Sequence, residues 1–312
     1  MNVNDRLVGK LLAIRLSFLL LALLTGTVNA HAQGIDDALN RFKGKVLLLR
    51  HPLQSNSQQY GSDGKVLSSA AEGAWTVYSG VLVDKMKLQP DLLQIRGRRI
   101  LFFFPDGRLT SMEFRTIKNR LYPPFPPQIK LELQLDHALG SPEEVRTAIG
   151  RVFLMNTSDL VDALPEFWRG CLRDQLVYDP TAQPELSWRD PPRKQPGIQP
   201  STAGAMVRTD PDDKIQTIYH VGSEVKPPAA IYSPEPNFSD AARYEKFQGV
   251  VVMSLVIARD GSVRQVRLLR PVGMGLDDQA VARVKTWRFS PGTRNGEPVA
   301  IELNIEVAFN LY

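Results

Sequence analysis

One cysteine in 312 residues removes a whole class of stabilisation. Cys171 has no partner within the chain, so no internal disulfide staples it, and a buried thiol is its plainest reading. Any folded part must hold through apolar cores. Histidine is nearly as scarce: apart from His31, only His51, His137 and His220 occur, far apart and without metal-ligand spacing. There is no Gly-x-Ser-x-Gly elbow, no phosphate-cradling glycine loop after a strand and no His-Glu-x-x-His. No catalytic residue, metal ligand or cofactor site is therefore nominated, and the chain reads as a non-enzyme. Charge of one sign is also lacking. The 38 basic and 33 acidic residues leave a net +5 with no basic stripe interleaved with aromatics, so nucleic acid is not an expected partner.

Long apolar runs are confined to the N-terminus. Leu11–Val28 contains Arg15 and falls short of the ~20 apolar residues that a spanning helix wants. Arg6, Lys10 and Arg15, the apolar core Leu16–Leu24 and the Ala30-His31-Ala32 site before Gln33 are the three parts of a cleavable secretory signal. The expectation is export with cleavage after Ala32, residues 1–32 being the signal. An uncleaved membrane anchor is the alternative.

Residues 33–177 read as an α+β domain built on antiparallel strands. A short helix over Gly34–Phe42 precedes strand candidates at Val46–Arg50, Trp75–Tyr78, Val81–Leu88, Leu92–Arg96, Ile100–Phe104, Leu109–Arg115 and Ile129–Leu135. Asp106-Gly107 marks a hairpin, and Tyr122–Pro127 a proline-stiffened loop. Two helices follow, the first opened by the capping box Ser141-Pro142-Glu143-Glu144, the second over Leu160–Leu172. Nothing in this part resembles a known family. Between Tyr178 and Pro236 the texture changes: eleven of the 23 prolines lie here, and apolar periodicity vanishes apart from Ile215–Val221. Residues 178–230 are expected to be a linker, part polyproline-like and part flexible.

Residues 231–312 carry the clearest pattern. Gly249–Ala258 is a β-branched strand, Arg259-Asp260-Gly261-Ser262 a hairpin turn and Val263–Arg270 a second strand. Leu276–Trp287 is an amphipathic helix opened by Asp277 and Asp278, and Pro291 stops it. After Asn295-Gly296 the last strand alternates from Val299 to Leu311: Ile301, Leu303, Ile305, Val307 and Phe309 on one face, Glu302, Asn304 and Glu306 on the other. A terminal strand with one wet face is a candidate sheet edge, and an edge recruits extended peptides.

The order of these elements, with Gln248-Gly249, Asp260-Gly261-Ser262, Gly275-Leu276-Asp277, Trp287-Arg288-Phe289-Ser290-Pro291 and Gly296-Glu297-Pro298, resembles the TonB C-terminal domain over roughly residues 234–311. The resemblance implies a small αββαβ domain that captures, in the periplasm, the TonB box of an outer-membrane transporter by strand addition. It implies a partner-binding set of Asn237, Phe238, Val299, Ile301, Glu302, Leu303, Asn304, Ile305, Glu306 and Val307. Where the family often has Tyr-Pro, this chain has Phe238-Ser239. Family members keep an N-terminal anchor that contacts inner-membrane motor proteins, which this chain would share only if its signal is retained. Three functions stay open: a TonB-like adapter in transport, an envelope scaffold without energy coupling, and a ligand-binding or enzymatic role in residues 33–177.

Overall fold

A computed structural model describes residues 33–114, 127–189, 206–209, 215–222 and 224–311, with side chains throughout except at 206–209, 215 and 216. The signal segment with Ala30 and Ala32, most of the Tyr122–Pro127 loop and the Pro191–Pro200 run lie outside the described residues. Helix α1 covers residues 33–40. It is followed by β1 (Val46–Leu48), β2 (Ser57–Tyr60), α2 (Trp75–Tyr78), β3 (Gly80–Gln89), β4 (Leu92–Phe103), β5 (Thr110–Glu113) and β6 (Gln128–Gln134). These strands form one sheet in the order β1-β3-β4-β6-β2, with β5 also on β4. Every pairing is antiparallel except β2 with β6.

Local rules account for most of this. On β4 the residues Leu93, Ile95 and Gly97 are buried while Arg96 is exposed, the alternation of a sheet with one dry face. Helix α3 (Pro142–Val152) covers that face through Val145, Ala148, Ile149 and Val152, spaced as one helical stripe. Its cap forms as expected: Ser141 Oγ accepts from the Glu144 N–H at 3.2 Å, and Glu144 reaches back to the Gly140 N–H at 2.7 Å. The expected second helix is two, α4 (Thr157–Ala163) and α5 (Glu166–Leu172), because Pro165 separates them. Cys171, half-buried on α5, has its thiol pushed up to about 12 by burial and donates to the Trp168 carbonyl at 3.2 Å.

Two strand expectations changed. Leu92–Arg96 and Ile100–Phe104 are parts of the single strand β4. Trp75–Tyr78 is a helical turn, not a strand: the Tyr78 N–H donates to the Ala74 carbonyl at 2.9 Å and the Ser79 N–H to the Trp75 carbonyl at 3.1 Å, the bonds of one α-turn. Trp75 sits among Phe102, Phe104 and Trp168, with ring centroids 5.6, 6.4 and 5.3 Å away.

Within residues 178–230 lie β8 (Leu186–Trp188), which pairs with β7 (Leu176–Tyr178), then β9 (Met206–Thr209), β10 (Ile215–His220), β11 (Val225–Lys226) and β12 (Ala229–Tyr232), whose first residues fall inside that span. The C-terminal part then runs α6 (Asp240–Glu245), β13 (Gly249–Ile257), β14 (Val263–Arg270), α7 (Leu276–Val284), β15 (Arg288–Ser290), β16 (Thr293–Arg294), β17 (Glu297–Pro298) and β18 (Ala300–Phe309). The αββαβ order read from the sequence is thus present as α6-β13-β14-α7-β18, and the whole is an α+β fold. Helix α7 stops at Val284, short of Trp287, whose indole N–H instead donates to the Pro234 carbonyl at 3.0 Å. The Asn295-Gly296 turn has φ of 53° and 85°, the left-handed pair of a tight hairpin.

One apolar core is shared by the N-terminal and C-terminal parts. Trp75, Phe102, Phe104, Phe114 and Trp168 belong to the same buried cluster as Tyr244, Val251, Met253, Leu255, Met274, Leu276 and Ala280. Backbone bonds seal the junction. Phe104 N–H donates to Val272 O and Met274 N–H to Phe102 O, both at 2.9 Å, and Gly275 N–H donates to Thr76 Oγ1 at 2.9 Å. Between them Gly273 (φ 90°) lies so close to β4 that a Cβ there would stand 2.4 Å from Phe103 Cα. Asp277 shapes this loop from behind, its carboxylate accepting from the N–H groups of Val272 (2.9 Å) and Gly273 (2.6 Å). The residue is fully buried, whereas a position in the first helical turn would ordinarily be wet.

Burial pushes the Asp277 carboxyl up to about 7, with the two backbone N–H bonds working against the rise. Asp278 keeps some exposed surface, but its carboxyl is enclosed and burial likewise pushes it up to about 7. A carboxyl whose folded pKa is raised keeps its proton where the unfolded chain has lost it, so its contribution favours folding at acid pH and fades from about pH 4 to pH 7. Asp278→Asn removes that loss. In urea titrations the variant should gain on the parent by about 3 kcal/mol between pH 4 and pH 8; an unchanged difference would show that Asp278 is not charged at a cost. Gly273→Ala should cost about 2 kcal/mol or more through its positive φ and the backbone contact, read as a fall of several degrees in Tm. A variant as stable as the parent would show that the junction is not tight.

Candidate peptide-binding edge

The C-terminal sheet has the order β14-β13-β18-β10-β9. β18 pairs with β13 from Ile301, opposite Ile257, to Phe309, opposite Gly249, in one unbroken antiparallel register. On its other side it is paired only at Ala300, Ile301 and Glu302, which take Ile218, Tyr219 and His220 of β10 in parallel. From Leu303 to Phe309 that second side has no strand beside it among the described residues.

The alternation seen in the sequence becomes two faces. Val307 and Phe309 are buried in one cluster with Val251, Met253 and Leu255, and Leu303 and Ile305 on the same face are half-buried. Asn304, Glu306 and Ala308 are exposed on the opposite face. The charges there differ in standing. Glu302 accepts from Arg267 and from Ser254 Oγ, both at 2.7 Å, so its charge is satisfied inside the sheet. Glu306 is only 3.9 Å from Arg270, and both are well exposed, an ion pair of small worth.

Val299 and Ile301 are covered by the chain itself. Val299 precedes β18 and donates its N–H to Gly292 O at 3.0 Å, and with Ile301 and Val225 it forms a small buried cluster under Tyr219. Asn237 is exposed. Phe238 packs edge-on against Phe309, ring centroids 5.4 Å apart and planes at 85°, which brings the segment before α6 to the far end of the open edge. The departure at Phe238-Ser239 has a structural role: Ser239 Oγ caps α6 by accepting from the Ala242 N–H at 3.1 Å, and donates to the Met274 carbonyl of the junction loop. Leu303, Asn304, Ile305, Glu306 and Val307 therefore lie on the open stretch of β18, with Phe238 against Phe309 at its end, while Val299, Ile301 and Glu302 are engaged within the domain.

Sequence reasoning missed β10 as part of this site. Ile218 is buried with Val256 and Ala300, and Tyr219 lies beneath the Arg294 guanidinium, 5.2 Å from the ring centre, with Arg294 bonded to Glu224 at 3.0 Å. The only local signal was the Ile215–Val221 run inside the proline-rich stretch. Among the described residues no group of three or more acidic, histidine or cysteine side chains is placed to hold a metal, and no helix is long and apolar enough to cross a membrane.

Comparison with known proteins bears on the same residues. Residues 234–311 match the family model described as Gram-negative bacterial TonB protein C-terminal. Protein TonB of Vibrio cholerae serotype O1 is 30% identical over 87 residues, which are 28% of this chain and 36% of that protein, so the chain spans about a third of its relative's length. The solution NMR structure of the Pseudomonas aeruginosa TonB C-terminal domain is 22% identical, covering 29% of this chain and 89% of that one at a TM-score of 0.25. Residues 234–311 of this chain thus form a C-terminal domain of the TonB family.

Proposed function

We propose that this chain is an envelope protein that acts in transport across the outer membrane by binding the TonB box of an outer-membrane transporter as an added strand along β18. The observation that carries the reading is the open side of Leu303–Phe309, where Leu303 and Ile305 stay half-exposed on an otherwise buried face. An added strand satisfies the edge's backbone groups and covers both side chains. The family match over 234–311 supports the same partner class. Signal-like residues 6–32 support a periplasmic location, and their retention or removal decides whether the protein reaches inner-membrane motor proteins directly.

The energetics favour a reversible contact. Each main-chain bond contributes about 0.5–1.5 kcal/mol net, and ordering the peptide backbone costs about 1–2 kcal/mol per residue. Side-chain burial against Leu303, Ile305 and Phe238 must supply the surplus, so affinity should be micromolar, about −8 kcal/mol. The test is binding of fluorescently labelled TonB-box peptides to the full chain. Ile305→Arg, at a half-buried position, should weaken capture at least tenfold while Tm changes little. Undiminished binding by the folded variant would sink the proposal.

A further inference from the structure

The open edge is bounded at one end by the chain's own β10. This strand is held there by more than its backbone: Ile218 is buried against Val256 and Ala300, and Tyr219 covers Val225, Val299 and Ile301. Immediately after it the chain turns at Gly222, where the Val225 N–H donates to Gly222 O at 3.1 Å, and β11 pairs with β16. Beyond that, β12 pairs with β15. Three successive pairings therefore lace residues 215–232 onto the TonB-type domain, upstream of the residues that match the family. Val221, the first residue past the last paired position, is 45% exposed although apolar, and it stands where the strand leaves the edge.

We infer that β10 is a permanent strand of the receptor sheet, so that the edge open to a partner is the bounded slot Leu303–Phe309, with Val221 at one end and Phe238 at the other. This rests on the peptide-capture reading and specifies its ligand. The slot has room for one extended segment of about seven residues, the number from Leu303 to Phe309. Residues facing the Leu303 and Ile305 side must be apolar, since they would lie beside those side chains, Val221 and Phe238. Alternate residues face Asn304 and the exposed Glu306, where polar or basic side chains fit. A longer strand would have to displace Ile218 and Tyr219 from their buried positions.

The test uses the full chain and an acetylated, amidated heptapeptide, Lys-Val-Lys-Val-Lys-Val-Lys, followed by amide hydrogen exchange. Binding should slow exchange in Leu303–Phe309 and leave Ile218–His220 unchanged. Faster exchange at Ile218–His220 would mean that β10 is expelled, overturning the bounded slot while leaving peptide capture intact. No slowing at Leu303–Phe309 with either this peptide or a TonB-box peptide would overturn both. Val221→Asp, at an exposed position, should weaken the heptapeptide about tenfold; unchanged affinity would remove Val221 from the slot and with it the proposed boundary.

Discussion

The close approach of the Val272–Gly275 loop to the end of β4 is the contact on which the rest of the arrangement depends. Two backbone bonds, a threonine hydroxyl and a glycine with no room for a side chain bring the N-terminal sheet and the C-terminal domain into one apolar core. Asp277 makes this possible by taking the loop's two N–H groups, at the expense of holding a carboxyl out of water. Ser239 ties the start of α6 to the same loop. The segment that precedes the candidate edge is therefore positioned by the junction and is not free to wander.

This constraint alters how the proline-rich stretch is to be understood. Its composition suggests a tether, yet residues 215–232 contribute three short pairings to the C-terminal domain. One of them fills the beginning of the edge that the family resemblance marks for a partner. The domain presents the rest of that edge beside a strand of its own, with Leu303 and Ile305 half-buried on its apolar face. Among the described residues, that stretch presents a row of backbone groups with no strand beside it.

Much of the C-terminal domain was legible in the sequence because its signals are local. Asp260-Gly261 and Asn295-Gly296 specify turns through positive φ, and β18 shows its two faces through period-two alternation. The same holds for Ser141 and Glu144 at the start of α3. Trp75–Tyr78 was misleading for a matching reason. Its β-branched and aromatic residues suit a strand, but the segment closes an α-turn through Tyr78 and Ser79, with Trp75 packed among Phe102, Phe104 and Trp168, a tertiary contact that local propensity does not show.

The sequence by itself determined the alternation of β18, the turns around it and the residues that resemble a TonB C-terminal domain, because dihedral preference and side-chain period act over a few residues. Only the tertiary structure decided which part of β18 remains open, since the parallel pairing of Ile218–His220 with Ala300–Glu302 joins segments about 80 residues apart and leaves no local period to read. It also decided that Asp277 is buried and not a wet first-turn carboxylate, and that Gly273 is a point of backbone contact and not a loop glycine. Those outcomes depend on what packs against a residue, which neither its own identity nor that of its neighbours in sequence contains.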